Sequence, residues 1–130
     1  MYKYQISRVL EVFDGSSFEC VINLGMGVYL KKTVIMTDIH PPSPNSSDER
    51  EKLYGIRARD KLKFFIRKVP VYLEVEEYHD DYVYGKVYTD DFEDSLNYIM
   101  FLKGYVWEKG DENKNYQLFV LNSLTELYLY

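Results

Sequence analysis

The sequence has very little of several things, and each shortage excludes a class. One cysteine, Cys20, in 130 residues excludes an internal disulfide framework and a cysteine-based zinc site. A reducing compartment, most simply a cytoplasm, is the matching expectation. No run of 18 apolar residues exists, so no membrane-spanning helix is expected. The opening Met1-Tyr2-Lys3-Tyr4-Gln5-Ile6 lacks a basic region followed by an apolar one, so no secretory signal is expected. There is a single alanine, Ala58, and only two histidines, His40 and His79. The one close glycine pair, Gly25-Met26-Gly27, lies between predicted strands, so a phosphate-cradling loop ahead of a helix is absent.

Tyrosine is abundant instead, with 14 copies. It combines a large apolar body with a polar tip and suits half-buried sheets and contact surfaces. An AT-rich genome would also write it by default. Charge is unevenly spread. Between Glu74 and Asp94, nine acids face one base, Lys86, a net of −8 on a chain that totals −5. Between Asp48 and Lys68, eight bases outnumber four acids. The overall balance argues against charge-driven nucleic-acid affinity, while the acidic stretch could meet a basic partner. The acids of that stretch lack the spacing of a calcium loop, so no metal site and no cofactor is expected. His40 and His79 read as accessible loop residues, and Cys20 as a small core residue.

Residues 4–13 read as a strand in which Ile6, Arg8, Leu10 and Val12 alternate against Ser7, Val9, Glu11 and Phe13. Asp14-Gly15 marks a turn, 17–23 a second strand, Gly25 and Gly27 a second reversal, and 30–36 a third strand. Three prolines within 41–44 mark a loop. Ser47 is the expected cap of a helix whose first turn is acidic and which Pro70 stops. Residues 71–78 and 82–89 read as a hairpin. Ser95 caps a short helix that ends at Gly104. Residues 116–130 carry Leu118, Leu121, Leu124 and Tyr128 at helical spacing, with enough β-formers to leave a strand open. The expected fold is α+β and mostly β: a five-stranded barrel of the oligonucleotide/oligosaccharide-binding type with two or three helices. The expected organisation is a barrel domain over 1–110 with 111–130 packed on it as helix or strand.

At this point the residues resemble a known family. Val12-Phe13-Asp14-Gly15-Ser16-Ser17-Phe18-Glu19, Leu24-Gly25-Met26-Gly27-Val28 and Lys31-Lys32-Thr33-Val34 are similar to the opening of a staphylococcal nuclease-like domain. Glu51 to Ala58 resembles the start of that family's first helix. Val83 to Tyr88, Leu96-Asn97 and Gly104-Tyr105-Val106 resemble its last strand and second helix. The resemblance covers roughly residues 4–107. It implies phosphodiester hydrolysis at a calcium ion held by two aspartates, with a glutamate acting on the attacking water and two arginines on the phosphorane. Carried over position by position, the aspartates fall on Ser16 and Ile39, the glutamate on Pro42 and the arginines on Val34 and Tyr82. All five are replaced. Shifting the loop by one residue would bring Asp38 to a ligand position and Thr33 to the first arginine, at the expense of the Pro41 match.

The resulting expectation is a catalytically inactive nuclease-like barrel acting as a protein-binding module. Its contact surface would comprise Tyr72, Tyr78, Tyr82, Tyr84, Asp90, Asp91, Glu93 and Asp94, facing a basic protein partner. Small size and compositional bias would suit a phage-encoded protein that modulates or inhibits a host enzyme in the host cytoplasm. The rival classes are a divergent metal-dependent nuclease and a non-catalytic binder of single-stranded nucleic acid. A homodimer through an exposed strand edge also stays open.

Overall fold

A computed structural model describes residues 2–111. Strand β1 (Tyr4–Asp14) turns at Asp14-Gly15-Ser16 into β2 (Ser17–Gly25), which turns at Gly25-Met26-Gly27 into β3 (Val28–Met36). After the two-residue strand β4 (Ile39–His40) and the proline loop comes helix α1 (Glu49–Ile66). The β5 (Val71–Tyr78) and β6 (Tyr82–Thr89) hairpin follows, then α2 (Leu96–Leu102) and the short β7 (Trp107–Glu108). The sheet closes in the order β1-β2-β3-β6-β5, with β5 returning to β1 over Tyr4–Ile6. All neighbours are antiparallel except β3 and β6, which run parallel. This is the expected mostly-β barrel, with two helices among the described residues. The tail from 116 onward, helix or strand, lies outside them.

Strand β2 alternates strictly, with Phe18, Cys20 and Ile22 inward. Strand β1 does not. The alternation expected for Ile6, Arg8, Leu10 and Val12 fails because the ladder to β2 slips by one residue three times. The opposite pairs are Ile6 with Ile22, Val9 with Cys20 and Val12 with Phe18. The inward period of β1 is therefore three, and Arg8 and Leu10 face outward. Each bulge bends the strand and adds right-handed twist, which is how a single long strand curls far enough to close a five-stranded barrel.

Helix α1 packs Ala58, Leu62, Phe65 and Ile66 against the barrel. Its cap is Asp48, not Ser47: the Asp48 carboxylate accepts from the Arg50 and Glu51 amides. A carboxylate at this position also meets the positive end of the helix dipole, which a serine hydroxyl does less well. The helix ends at Ile66, ahead of Pro70. Ser95 caps α2 as expected, and Gly104 follows it with φ 77°. The β4–β7 pairing, Ile39 with Glu108 and His40 with Trp107, was not visible in the sequence. It seats the only tryptophan, Trp107, in the interior, with His40 stacked on it at 5.9 Å.

Where β6 passes the β5 bulge at Val75–Glu77, only glycine fits. A Cβ on Gly85 would lie 2.2 Å from the Glu74 carbonyl oxygen. Next to it, buried Asn97 at the start of α2 accepts from the Val87 amide and donates to the Thr37 and Gly85 carbonyls at 2.9–3.1 Å. One side chain thereby ties α2, β6 and the end of β3 together.

Candidate functional site at the hairpin end of the barrel

The residues carried over from the nuclease-like pattern do not form a cluster of charges. Ser16 lies in the β1–β2 turn, 3% exposed, and its carbonyl accepts from the Met36 amide at 2.8 Å. The neighbouring Asp14 is engaged locally: one carboxylate oxygen accepts from the Ser16 amide and the Ser17 hydroxyl, both at 2.8 Å. Val34 is fully buried and points into the barrel. Ile39 and Pro42 are buried in packing. Tyr82 faces outward, half-buried, at the start of β6.

The one-residue shift would use Thr33, which sits opposite Tyr82 on the outer face, and Asp38. Asp38 is exposed, has φ 69°, and lies 3.7 Å from the Lys86 ammonium. Lys86 also binds Glu76 at 2.9 Å. Burial raises the Glu76 carboxyl, but hydrogen bonds from Lys86 and Thr37 and the Lys86 charge outweigh it and hold the group below its ordinary value. The same hydrogen bond raises Lys86. Among the described residues no three His, Cys, Asp or Glu side chains converge as a metal cage. Cys20 is buried in the core, and burial, with Glu19 nearby, pushes its thiol up to about 12, so it stays protonated and inert.

The hairpin end carries a different assembly. On β3 the inward residues are Leu30, Lys32, Val34 and Met36. Lys32 is therefore a cation at a core position, 8% exposed. It stands one residue before β6 joins β3, so on that side it meets the β5–β6 turn, while β2 pairs with it on the other through Cys20. Its ammonium donates to the Asp80 carbonyl and lies 4.8 Å from the Tyr78 ring centre. An ammonium has three donors, and a carbonyl and a ring face use only part of that capacity. His79 stacks on Tyr82 at 4.6 Å and meets Tyr84 edge-on at 5.9 Å, while Tyr82 and Tyr84 meet edge-on at 5.4 Å. The Glu77 carboxylate holds the His79 ring at 2.5 Å. His79 is thus part of a ring cluster rather than a plain loop residue. The signal that could have found Lys32 was its parity on β3, which places it inward between Leu30 and Val34.

The eight residues expected to form one contact surface fall into separate places. Tyr82 and Tyr84 come together with His79 on the outer face, while Tyr78 meets Lys32 separately. Tyr72 sits opposite Tyr88 near the other end of the hairpin. Asp90, Asp91, Glu93 and Asp94 lie between β6 and α2, beyond the far end of β6, about 23 Å from Tyr82 at the usual rise of a strand. Tyr88 itself is braced by Lys3, whose ammonium lies 3.7 Å from the ring centre. No helix among the described residues is long and apolar enough to cross a membrane. Compared with known proteins, the sequence matches no family model and no curated protein.

Proposed function

We propose that this barrel is a catalytically inactive relative of the staphylococcal nuclease-like domains and works as a protein-binding module. The reading rests on one observation above the others. In the direct register four of the five positions that would carry the nuclease chemistry, Ser16, Val34, Ile39 and Pro42, are side chains buried in packing, and the one-residue shift adds one exposed carboxylate, Asp38, and no arginine. A phosphodiester needs hard oxygen ligands and cationic donors reaching solvent, and these positions supply neither. What does reach solvent at this end is the ring cluster of His79, Tyr82 and Tyr84 and, separately, exposed Tyr78 over Lys32, side chains of the aromatic kind that anchors protein interfaces. A basic partner would meet the acids Glu77, Asp80 and Asp81 at the rim of this group.

The test has two arms. Incubation with single- and double-stranded DNA and RNA in the presence of Ca²⁺ is expected to leave the substrates intact. Cleavage that disappears in Asp38→Ala would replace the proposal with a divergent nuclease. In pull-down from a host lysate, Tyr78→Ala with Tyr82→Ala is expected to release the partner. Charge reversal at Asp90, Asp91, Glu93 and Asp94 tests whether that distant loop takes part.

A second reading has its own support. Stacked rings beside a buried lysine also suit single-stranded nucleic acid. Titration of labelled oligothymidylate separates the two, since nucleic-acid binding would fall steeply with salt.

A further inference from the structure

On the β1–α1 side of the barrel lies a cleft of about 640 Å³ that shares no residue with the hairpin group. One wall is β1 from Ile6 to Val12, and the other is the face of α1 that bears Arg59, Lys63 and Arg67. Three features of this cleft concern what it could hold. First, β1 pairs with β5 only over Tyr4–Ile6, so among the described residues no strand occupies that edge from Ser7 onward. The bulges place Ser7 and Leu10 there without cross-strand partners on β2. Second, the rim is cationic. Arg8, Arg59, Lys63 and Arg67 outnumber Glu11 and Asp60, and Asp60 is already paired with Arg59 at 3.3 Å. Third, no aromatic residue lines the cleft, in a chain with 14 tyrosines and seven phenylalanines.

We infer that this cleft receives an extended acidic peptide segment of a partner protein, which adds a strand to the open edge of β1. Main-chain hydrogen bonds to β1 provide affinity in this mode, and side chains on alternate positions provide selectivity. Acidic residues on the outward-pointing positions would meet Arg59, Lys63 and Arg67, which are spaced at one-turn intervals along α1. The alternate positions would rest on the apolar floor at Val9 and Ile66. Single-stranded nucleic acid fits less well, because its bases need ring platforms and the cleft offers none.

The experiment uses the full chain and a fluorescein-labelled ten-residue peptide alternating Glu and Val. Saturable binding is expected by fluorescence anisotropy, weakening as salt rises, together with slowed amide exchange at Ser7–Val12. The double variant Arg59→Glu, Lys63→Glu changes one half-buried and one exposed helix position outside the core and is expected to weaken binding at least tenfold with little change in melting temperature. The same peptide N-methylated at alternate residues keeps its charge but loses main-chain donors, and should also bind at least tenfold more weakly. Equal binding of the N-methylated peptide, or equal binding by the charge-reversed protein, would overturn the proposal. So would an absence of saturable binding up to millimolar peptide, or displacement of the peptide by oligothymidylate. These readouts are independent of the hairpin group, so the cleft and the proposed function can fail separately.

Discussion

Asn97 and Lys32 are both polar and both buried in the same barrel, yet their surroundings differ in kind. Asn97 makes three hydrogen bonds to backbone groups, at Val87, Thr37 and Gly85, and every one ties α2 to β6 or to the end of β3. Lys32 meets one carbonyl and one ring face. Removing it frees the Asp80 carbonyl, which lies in an exposed turn where water can replace the ammonium. A buried polar group that the fold fully uses is explained by stability. One that the fold uses sparingly is a better candidate for ligand contact. The contrast is quantitative, and substitutions can break it.

The largest effect belongs to the Asn97 side. Gly85→Ala would push a Cβ against the Glu74 carbonyl and to 3.1 Å from Leu73 Cδ1. Backbone cannot yield there without unpairing the hairpin, so the loss should exceed the roughly 1–3 kcal/mol of ordinary overpacking. Thermal unfolding followed by circular dichroism checks this, and a melting temperature within a degree or two of the parent would contradict the closeness of the β5–β6 contact. Asn97→Ala comes next. It strands the Val87 amide and removes the Asn97 donor from the Thr37 carbonyl, while the Gly85 carbonyl keeps the Thr37 amide, for an expected loss of about 1–3 kcal/mol in urea unfolding. Asn97→Asp keeps an acceptor for Val87 but turns a carboxylate oxygen toward two carbonyls, so it should not rescue the loss.

Lys32→Met should behave differently. Methionine matches much of the lysine stem and carries no charge to desolvate, so unfolding free energy should stay within about 1 kcal/mol of the parent or rise. The same variant should weaken whatever the hairpin end binds. A loss as large as that of Asn97→Ala would end the distinction and make Lys32 a structural residue.

The sequence carried more of the barrel than of these two residues. Turn residues at Asp14-Gly15 and Gly25–Gly27, the hairpin over 71–89, and Pro70 between helix and hairpin marked the order of elements. The same local rules misread β1, since its bulges depend on how far the strand must curl to reach β5, and that is a property of the closed sheet. They missed β4–β7 because two-residue strands have no period. The cap was placed one residue early because both Ser47 and Asp48 are good caps, and only the geometry chose between them. Asn97 appeared within a resembling stretch without a role, since its partners lie 10 to 60 residues away. Of the tyrosines proposed for contact, only Tyr82 and Tyr84 came together. Sequence proximity of Tyr72 and the acids 90–94 to the hairpin turn concealed a whole strand length between them.

The smallest expected effect compares Lys32 with an outward lysine, Lys86 on β6. Its bond to Glu76 is short, but both side chains are about one-third exposed, so solvent screens the pair and its contribution should fall within about 0.2–1 kcal/mol. The sign with pH follows from the two displacements. Glu76 titrates lower in the folded protein than its ordinary 4.5, so its contribution is present above that value and fades as pH falls through the folded one. Lys86 titrates higher than its ordinary 10.5, so its contribution is complete below 10.5 and fades as pH rises through the folded value. Between these limits the coupling should be flat. A double-mutant cycle of Glu76→Gln and Lys86→Met, measured by urea unfolding at pH 7 and again at pH 3, should give a few tenths of a kcal/mol at pH 7 and less at pH 3. A coupling above about 2 kcal/mol would mean that the outer face of the hairpin is less open to water than its exposure indicates, and that Lys86, with Asp38 beside it, belongs to a site rather than to a solvated surface.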